Sequence, residues 1–185
     1  MKAKNLISIF ILAAALLAGC TKPAPAPSPT PTPSDATPDK VTTASIVDNA
    51  AAFEKAIGSS GTWIIAITKD LNIDKELVLD GEFKNGKKDD EGKDIIQRKI
   101  ALYAQDANRN ITARYTLTAP RLTINSPEAS IQHGTFKGDL YVSSKNFKLV
   151  DATVDGNVYF TADEAKSTFT MDDKSKVTGK QEIKK

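Results

Sequence analysis

The sequence is poor in the residues that cross-link, titrate near neutrality or grip phosphate. Cys20 is the only cysteine among 185 residues, so no disulfide can form within the chain and the domain must be held by its core alone. His133 is the only histidine, which excludes a zinc site built from several histidines and a Ser-His-Asp unit with a histidine to spare. Its place between Gln132 and Gly134, at an expected turn, predicts a surface side chain rather than a catalytic one. Arginines number four, Arg98, Arg109, Arg114 and Arg121, and the lysines are spread along the chain. That pattern lacks the clustered basic footprint of a nucleic-acid binder, so no nucleic-acid partner is expected. Only two of nine prolines, Pro120 and Pro127, lie beyond residue 38.

No apolar run reaches the roughly 20 residues needed to span a bilayer. The longest, Leu6 to Leu16 interrupted by Ser8, follows Lys2 and Lys4 and precedes Leu17-Ala18-Gly19-Cys20. Charge, short apolar core and small residues in that order define an export signal over residues 1–19. Leu-Ala-Gly-Cys resembles the lipobox of bacterial lipoproteins. The resemblance implies cleavage before Cys20, diacylation of its sulfur and a membrane partner reached through that lipid. Two acyl chains anchor stably where one is marginal, each buried CH₂ contributing about 0.8 kcal/mol. Thr21 in place of an aspartate gives no sign of inner-membrane retention in a cell with two membranes. Without Lys2 and Lys4 the mature chain carries 23 basic against 23 acidic residues and is neutral.

Residues 20–43 read as a stalk. Seven prolines fall between Pro23 and Pro38, alternating in a way that favours polyproline II, so about twenty residues at ~3.1 Å each extend up to ~60 Å. Residues 44–185 are left as one domain of roughly 140 residues, a common domain size. Near its start, Asp48 is expected to cap a short helix whose Ala52, Phe53, Ala56 and Ile57 form an apolar face and which Gly58 ends. Beyond it the pattern turns to β-branched and aromatic runs at Trp63–Thr68, Glu76–Leu79, Ile100–Ala104 and Tyr115–Thr118.

The most informative feature is a repeat. Thr135-Phe136-Lys137-Gly138-Asp139-Leu140-Tyr141-Val142 aligns without a gap on Thr153-Val154-Asp155-Gly156-Asn157-Val158-Tyr159-Phe160, 18 residues later. The same offset reaches back to Leu122-Thr123-Ile124 and pairs Ile131 with Leu149. A weaker echo at Val177-Thr178-Gly179-Lys180 follows at longer spacing, after an insertion at Asp163–Lys166. Strands repeating near every twenty residues, none able to bury a face alone, predict a β-solenoid rather than a β-sandwich with two similar hairpins. Alternation points Leu122, Ile124, Leu140, Val142, Val158 and Phe160 inward, and Thr123, Tyr141 and Tyr159 outward. Gly138 and Gly156 fall at corners.

The stretch Asp48–Phe83, with Gly61-Thr62-Trp63-Ile64-Ile65-Ala66-Ile67 and Leu77-Val78-Leu79-Asp80-Gly81, resembles the N-terminal cap and first coils of pectate-lyase-like right-handed parallel β-helices. The later Gly-Asp-Leu-Tyr-Val and Gly-Asn-Val-Tyr-Phe coils are similar to those of bactofilins. The expected fold is therefore all-β, a small right-handed parallel β-helix with an N-terminal capping α-helix.

The resemblance to pectate lyases implies carboxylates on calcium and an arginine base. The polar excursion Lys84–Asp94 supplies Asp89, Asp90, Glu91 and Asp94, oxygen donors suited to a hard cation but not spaced as an EF-hand; a solvated loop is the plainer reading. Tyr141 and Tyr159, one coil apart, form an exposed ladder suited to a flat sugar ring or a partner's side chains, or to cross-strand stabilisation alone. Tight 18-residue coils leave little room for a catalytic cleft. The composite expectation is a non-enzymatic, lipid-anchored protein of the extracytoplasmic membrane face, or of the outer membrane in a two-membrane cell. It needs no cofactor, its β-helical domain is a scaffold or binding module, and its partners are cell-wall or surface polysaccharide or an envelope protein. The competing expectation is a calcium-dependent carbohydrate-active enzyme or a polysaccharide-binding protein. Lysines along the last strands, which discourage edge pairing, predict a monomer.

Overall fold

A computed structural model describes residues 44–184. The signal, Cys20 and the proline-rich stretch lie outside the described residues. The first strand β1 (Ser45–Val47) leads into α1 (Ala50–Ile57), then β2 (Ile64–Ile67), β3 (Leu71–Asn72) and β4 (Leu77–Leu79). A hairpin of β5 (Lys84–Lys88) and β6 (Asp94–Ile96) precedes β7 (Arg98–Ala101), and a second, β8 (Tyr103–Gln105) with β9 (Ile111–Arg114), precedes the long β10 (Thr116–Ile124). There follow β11 (Ala129–Gln132), β12 (Thr135–Val142), β13 (Lys148–Val150), β14 (Thr153–Asp155) and β15 (Val158–Phe160). A one-turn helix α2 (Asp163–Ser167) and the strands β16 (Thr170–Met171), β17 (Lys176–Val177) and β18 (Gln181–Ile183) close the described chain.

The class is all-β-rich with parallel sheets. One sheet runs β1-β2-β7-β11-β13-β16; the other stacks β3 and β4, then β10, β12, β14 with β15, and finally β17 with β18. Every pairing within these two sheets is parallel. A sandwich of two similar hairpins would pair antiparallel, and only the two short hairpins do so.

The 18-residue repeat is the register itself. Thr135 pairs with Thr153, Leu140 with Val158, Tyr141 with Tyr159, Leu122 with Leu140 and Ile131 with Leu149. At the next step Val154 pairs with Val177 and Tyr159 with Glu182, an offset of 23. The five extra residues equal the length of α2, which buries Ala165 and projects the rest of the insertion outward.

Register stacks like on like into columns, so the core runs the length of the sheets. Ile65, Ile100, Ile131 and Leu149 form one column, and Leu79, Ile124, Val142 and Phe160 another, all essentially solvent-free. Each such side chain contributes about 1.5–3 kcal/mol of transfer free energy. The columns fade at one end, where Ile183 and Met171 are exposed.

Three local expectations are corrected. Asn49, not Asp48, caps α1: its Oδ1 accepts from the Ala52 N–H at 2.9 Å, while its amide donates to Asp48. The capping oxygen must reach the third N–H of the helix, and that places the cap one residue later. The run Ile100–Ala104 is broken at Leu102, β7 staying in its sheet while β8 leaves to pair with β9. Lys84–Asp94 is an antiparallel hairpin rather than a plain loop, because Asp94 draws both Lys84 (2.6 Å) and Lys88 (3.1 Å) across it.

The last turn of α1 is closed by Arg98. Its buried guanidinium donates to the carbonyls of Ala56 (2.8 Å), Gly58 (3.0 Å) and Asp80 (3.0 Å) and lies 3.7 Å from the ring centroid of Phe83. A cation at a helix C-terminus answers both the orphan carbonyls and the helix dipole. Burial pulls this guanidinium down to about 10, still charged at neutral pH.

Candidate functional site

The outward face of β10, β12, β14 and β15 carries polar and aromatic side chains in rows, one residue per coil. Thr118, Lys137 and Asp155 form one row; Arg121, Asp139 and Asn157 the next; Thr123, Tyr141 and Tyr159 the third. The face folds along a crease between the first and second rows. In β10 the crease is a bulge, where Ala119 and Pro120 oppose the single residue Gly138; a proline is tolerated there because a bulge leaves it no ladder hydrogen bond to make. Gly138 adopts φ +140°, outside the range of residues with a side chain. A Cβ at Gly156 would stand 2.1 Å from the Gly138 carbonyl oxygen, and one at Gly138 would stand 1.9 Å from that of Ala119. The repeat keeps glycine here because one parallel strand lies directly on the next.

Along the crease runs an open groove of about 410 Å³, with Pro120, Gly138 and Gly156 in it and Ala119 buried beneath. Asn72, Asp74, Lys137, Asp139 and Asp155 stand along its rims. Asp139 accepts with one oxygen from the Asn157 backbone N–H (3.1 Å) and amide (2.9 Å), and Asp155 accepts from the Thr178 hydroxyl (3.1 Å). Each keeps its second oxygen unengaged. The side chains of Lys137 and Asp74 have no hydrogen-bond or ion-pair partner among the described residues.

Beside the groove the two sequence-predicted tyrosines meet as expected from their register, ring centroids 4.9 Å apart and planes tilted by 48°. That separation is the strand spacing. Their faces are already covered: the Arg121 guanidinium lies 4.2 Å from the Tyr141 centroid and the Lys184 ammonium 4.4 Å from that of Tyr159. Lys184 also donates to the Tyr141 hydroxyl at 3.0 Å, which raises the lysine pKa. Arg121 is held in turn by Glu76 at 3.2 Å. The column Glu76–Arg121–Tyr141–Tyr159–Lys184 is a closed stack of ion pair, cation–π and aromatic contacts.

A second cluster was not anticipated. His133 is half-buried rather than at the surface, its Nδ1 3.1 Å from Asp151 Oδ2, with Tyr103 edge-on to the imidazole at 4.6 Å. Arg114 Nη2 reaches the same oxygen at 2.5 Å and Nη1 the Asp151 carbonyl at 3.2 Å, joining the β8–β9 hairpin to the coil beneath. The arginine first, then the histidine, holds the Asp151 carboxyl below its ordinary range. His133 (φ 58°) and Asp151 (φ 50°) are both left-handed and 18 residues apart, as are Glu128 (φ 52°) and Asn146 (φ 58°), which also hydrogen-bond to each other. Aspartate and asparagine tolerate that conformation. The repeat transfers the corner to His133 and Glu128, and this was the signal available in the sequence.

The acidic excursion is engaged internally. Asp89 Oδ1 accepts from the N–H groups of Glu91 (3.0 Å) and Lys93 (2.8 Å), Glu91 pairs with Lys93, and the lysines hold Asp94 and lower its pKa. Among the described residues no three His, Cys, Asp or Glu side chains gather as a metal group, so Asp89, Asp90 and Asp94 do not converge. The arginines are likewise committed where they touch other groups: Arg98 to carbonyls, Arg114 to Asp151, Arg121 to Glu76. Among the described residues no helix is long and apolar enough to cross a membrane. Comparison with known proteins finds no matching family model, curated protein or solved structure.

Proposed function

We propose that residues 44–185 form a small right-handed parallel β-helix capped by α1, and that the mature protein, lipid-anchored through Cys20 on the extracytoplasmic face, uses this domain as a non-enzymatic binding module at the cell envelope. The observation that carries the reading is the creased outward face, where the register repeats polar groups strand after strand beside a crease of Pro120, Gly138 and Gly156. Such a face presents a rigid, periodic surface without any pairing of a base to a nucleophile. The calcium-dependent enzyme has less support, since Asp89 and Asp94 are engaged by backbone N–H groups and lysines and do not gather with Asp90 as a metal group.

Two measurements test it. A cell expressing the full chain incorporates labelled palmitate, and C20S abolishes both labelling and membrane fractionation; labelling that survives C20S overturns the anchor. The domain incubated with calcium and a panel of neutral and acidic polysaccharides releases no new reducing ends or unsaturated products; turnover overturns the non-enzymatic reading.

A further inference from the structure

We infer that the groove along the crease binds a neutral, hydroxyl-rich glycan segment lying across successive coils. The inference deepens the binding-module reading and rests on it. A pyranose ring offers an apolar C–H face and a rim of hydroxyls that both donate and accept. The groove offers the complement: the Pro120 ring and the backbone of Gly138 and Gly156, with Asp74, Asp139, Asp155, Lys137 and Asn72 lining it. The unengaged oxygens of Asp139 and Asp155 and the whole of Asp74 are acceptors, Lys137 is a donor, and the Asn72 amide is both. Groups with such spare capacity aimed over an apolar floor are what a site for a polar, flat-faced ligand requires.

Charge selects among glycans. Three carboxylates against one ammonium leave the groove net negative, so a uronate-rich or phosphate-bearing chain meets like charge, whereas a neutral chain supplies hydroxyl donors. The tyrosine pair is not the platform, because Arg121 and Lys184 already cover its rings. It acts as the wall that keeps β12 and β15 in register beside the groove. Periodicity favours a polymer over a monosaccharide, since Lys137–Asp155 and Asp139–Asn157 repeat the same outward positions one strand spacing apart.

The test uses the full chain without its export signal, labelled with ¹⁵N, titrated with cellohexaose, mannohexaose, xylohexaose and chitohexaose, and with hexagalacturonate as the acidic probe. The expected result is that at least one neutral hexasaccharide shifts the amides of residues 118, 119, 137–139 and 155–156, with hexagalacturonate at least tenfold weaker. D74A and K137A remove groups that have no partner in the fold, so both keep the parent melting temperature and each weakens binding fivefold or more. No neutral binder, preference for hexagalacturonate, or unchanged affinity in both variants overturns the groove assignment. Shifts confined to another face overturn the groove but leave the binding module standing. Shifts in the groove accompanied by cleavage of the hexasaccharide overturn the non-enzymatic reading and leave the groove standing.

Discussion

Replacing Arg98 by methionine separates two opposing terms that the structure sets against each other. Burying a guanidinium costs several kcal/mol of desolvation, which the Asp80 carboxylate offsets only in part, as it forms no ion pair with Arg98. The guanidinium instead satisfies Ala56 O, Gly58 O and Asp80 O and stacks on Phe83. Methionine fills much of the volume and removes the desolvation term. Gly58 O keeps the N–H of Gly61 as a donor at 3.0 Å, but Ala56 O and Asp80 O lose theirs. Two orphaned carbonyls at about 1–3 kcal/mol each, with the lost cation–π contact at roughly 2 kcal/mol when desolvated, outweigh the recovered desolvation by about 3 kcal/mol. For a domain of this size that is a fall in Tm of about 10 °C. R98K fares no better, because one ammonium does not span three carbonyls that the planar fork reaches together. Urea unfolding of the parent, R98M and R98K measures the difference, and amide exchange locates it at α1 and the Asp80 turn. R98M within about 0.5 kcal/mol of the parent would refute the reasoning, since it would mean that the charge costs as much as its hydrogen bonds return.

Position along a column sets the cost of a core truncation. V142A, in the middle, is expected to cost about 2 kcal/mol and I183A, at the exposed end, under about 0.5 kcal/mol, by denaturant midpoint; equal losses contradict the stacked-core account. G156A drives a Cβ to within 2.1 Å of the Gly138 carbonyl oxygen and is expected to abolish cooperative melting, whereas alanine at Gly92, which has open space but φ +79°, costs only about 1 kcal/mol. The carboxyls of Asp94, Asp106, Asp151 and Asp172 are all held below their ordinary pKa by hydrogen bonds, which at Asp94 come from lysines and at Asp151 from Arg114 and His133. They therefore stabilise the fold above the unfolded carboxylate value near 4 and cease to do so as pH falls through the depressed values. Thermal melts from pH 7 to 2 are expected to be flat down to about pH 4 and then to drop, with the drop shallower in D151N; an unchanged profile in D151N refutes the role given to Arg114 and His133 at that carboxylate.

The 18-residue repeat made the later half of the domain legible. Inward and outward positions and the pairing partners of Thr135–Val142 all follow from one offset, because parallel strands 18 residues apart stack residue on residue. Before residue 116 no offset is constant: β4 and β10 lie 45 residues apart with both hairpins between them, and β2 and β7 lie 35 apart with the β5–β6 hairpin between them. There the local signals, β-branched runs and turn residues, located most of the strands but not their partners, and the run at Ile100–Ala104 concealed a change of sheet.

The candidate site divides in the same way. Alternation alone placed Tyr141 and Tyr159 side by side and facing out, since the period of a strand is two and the period of the coil is even. That their ring faces are covered depended on Arg121, twenty residues earlier, and Lys184, twenty-five later, meeting at one spot. The groove owes much of its floor to Gly138 and Gly156, which have no side chain to announce it. Its rims come from Asn72 and Asp74 on one side and Asp155 on the other, brought together only by stacking. What the sequence alone determined is therefore the periodic part: all-β class, parallel register and inward core, because each depends on spacing within one repeat, whereas Gly138, expected at a corner, lies inside β12 at the crease. Tertiary structure alone decided the rest: the Arg98 closure of α1, the Arg114–Asp151–His133 junction and the groove. Each depends on distances between groups far apart in the chain, and spacing does not encode them.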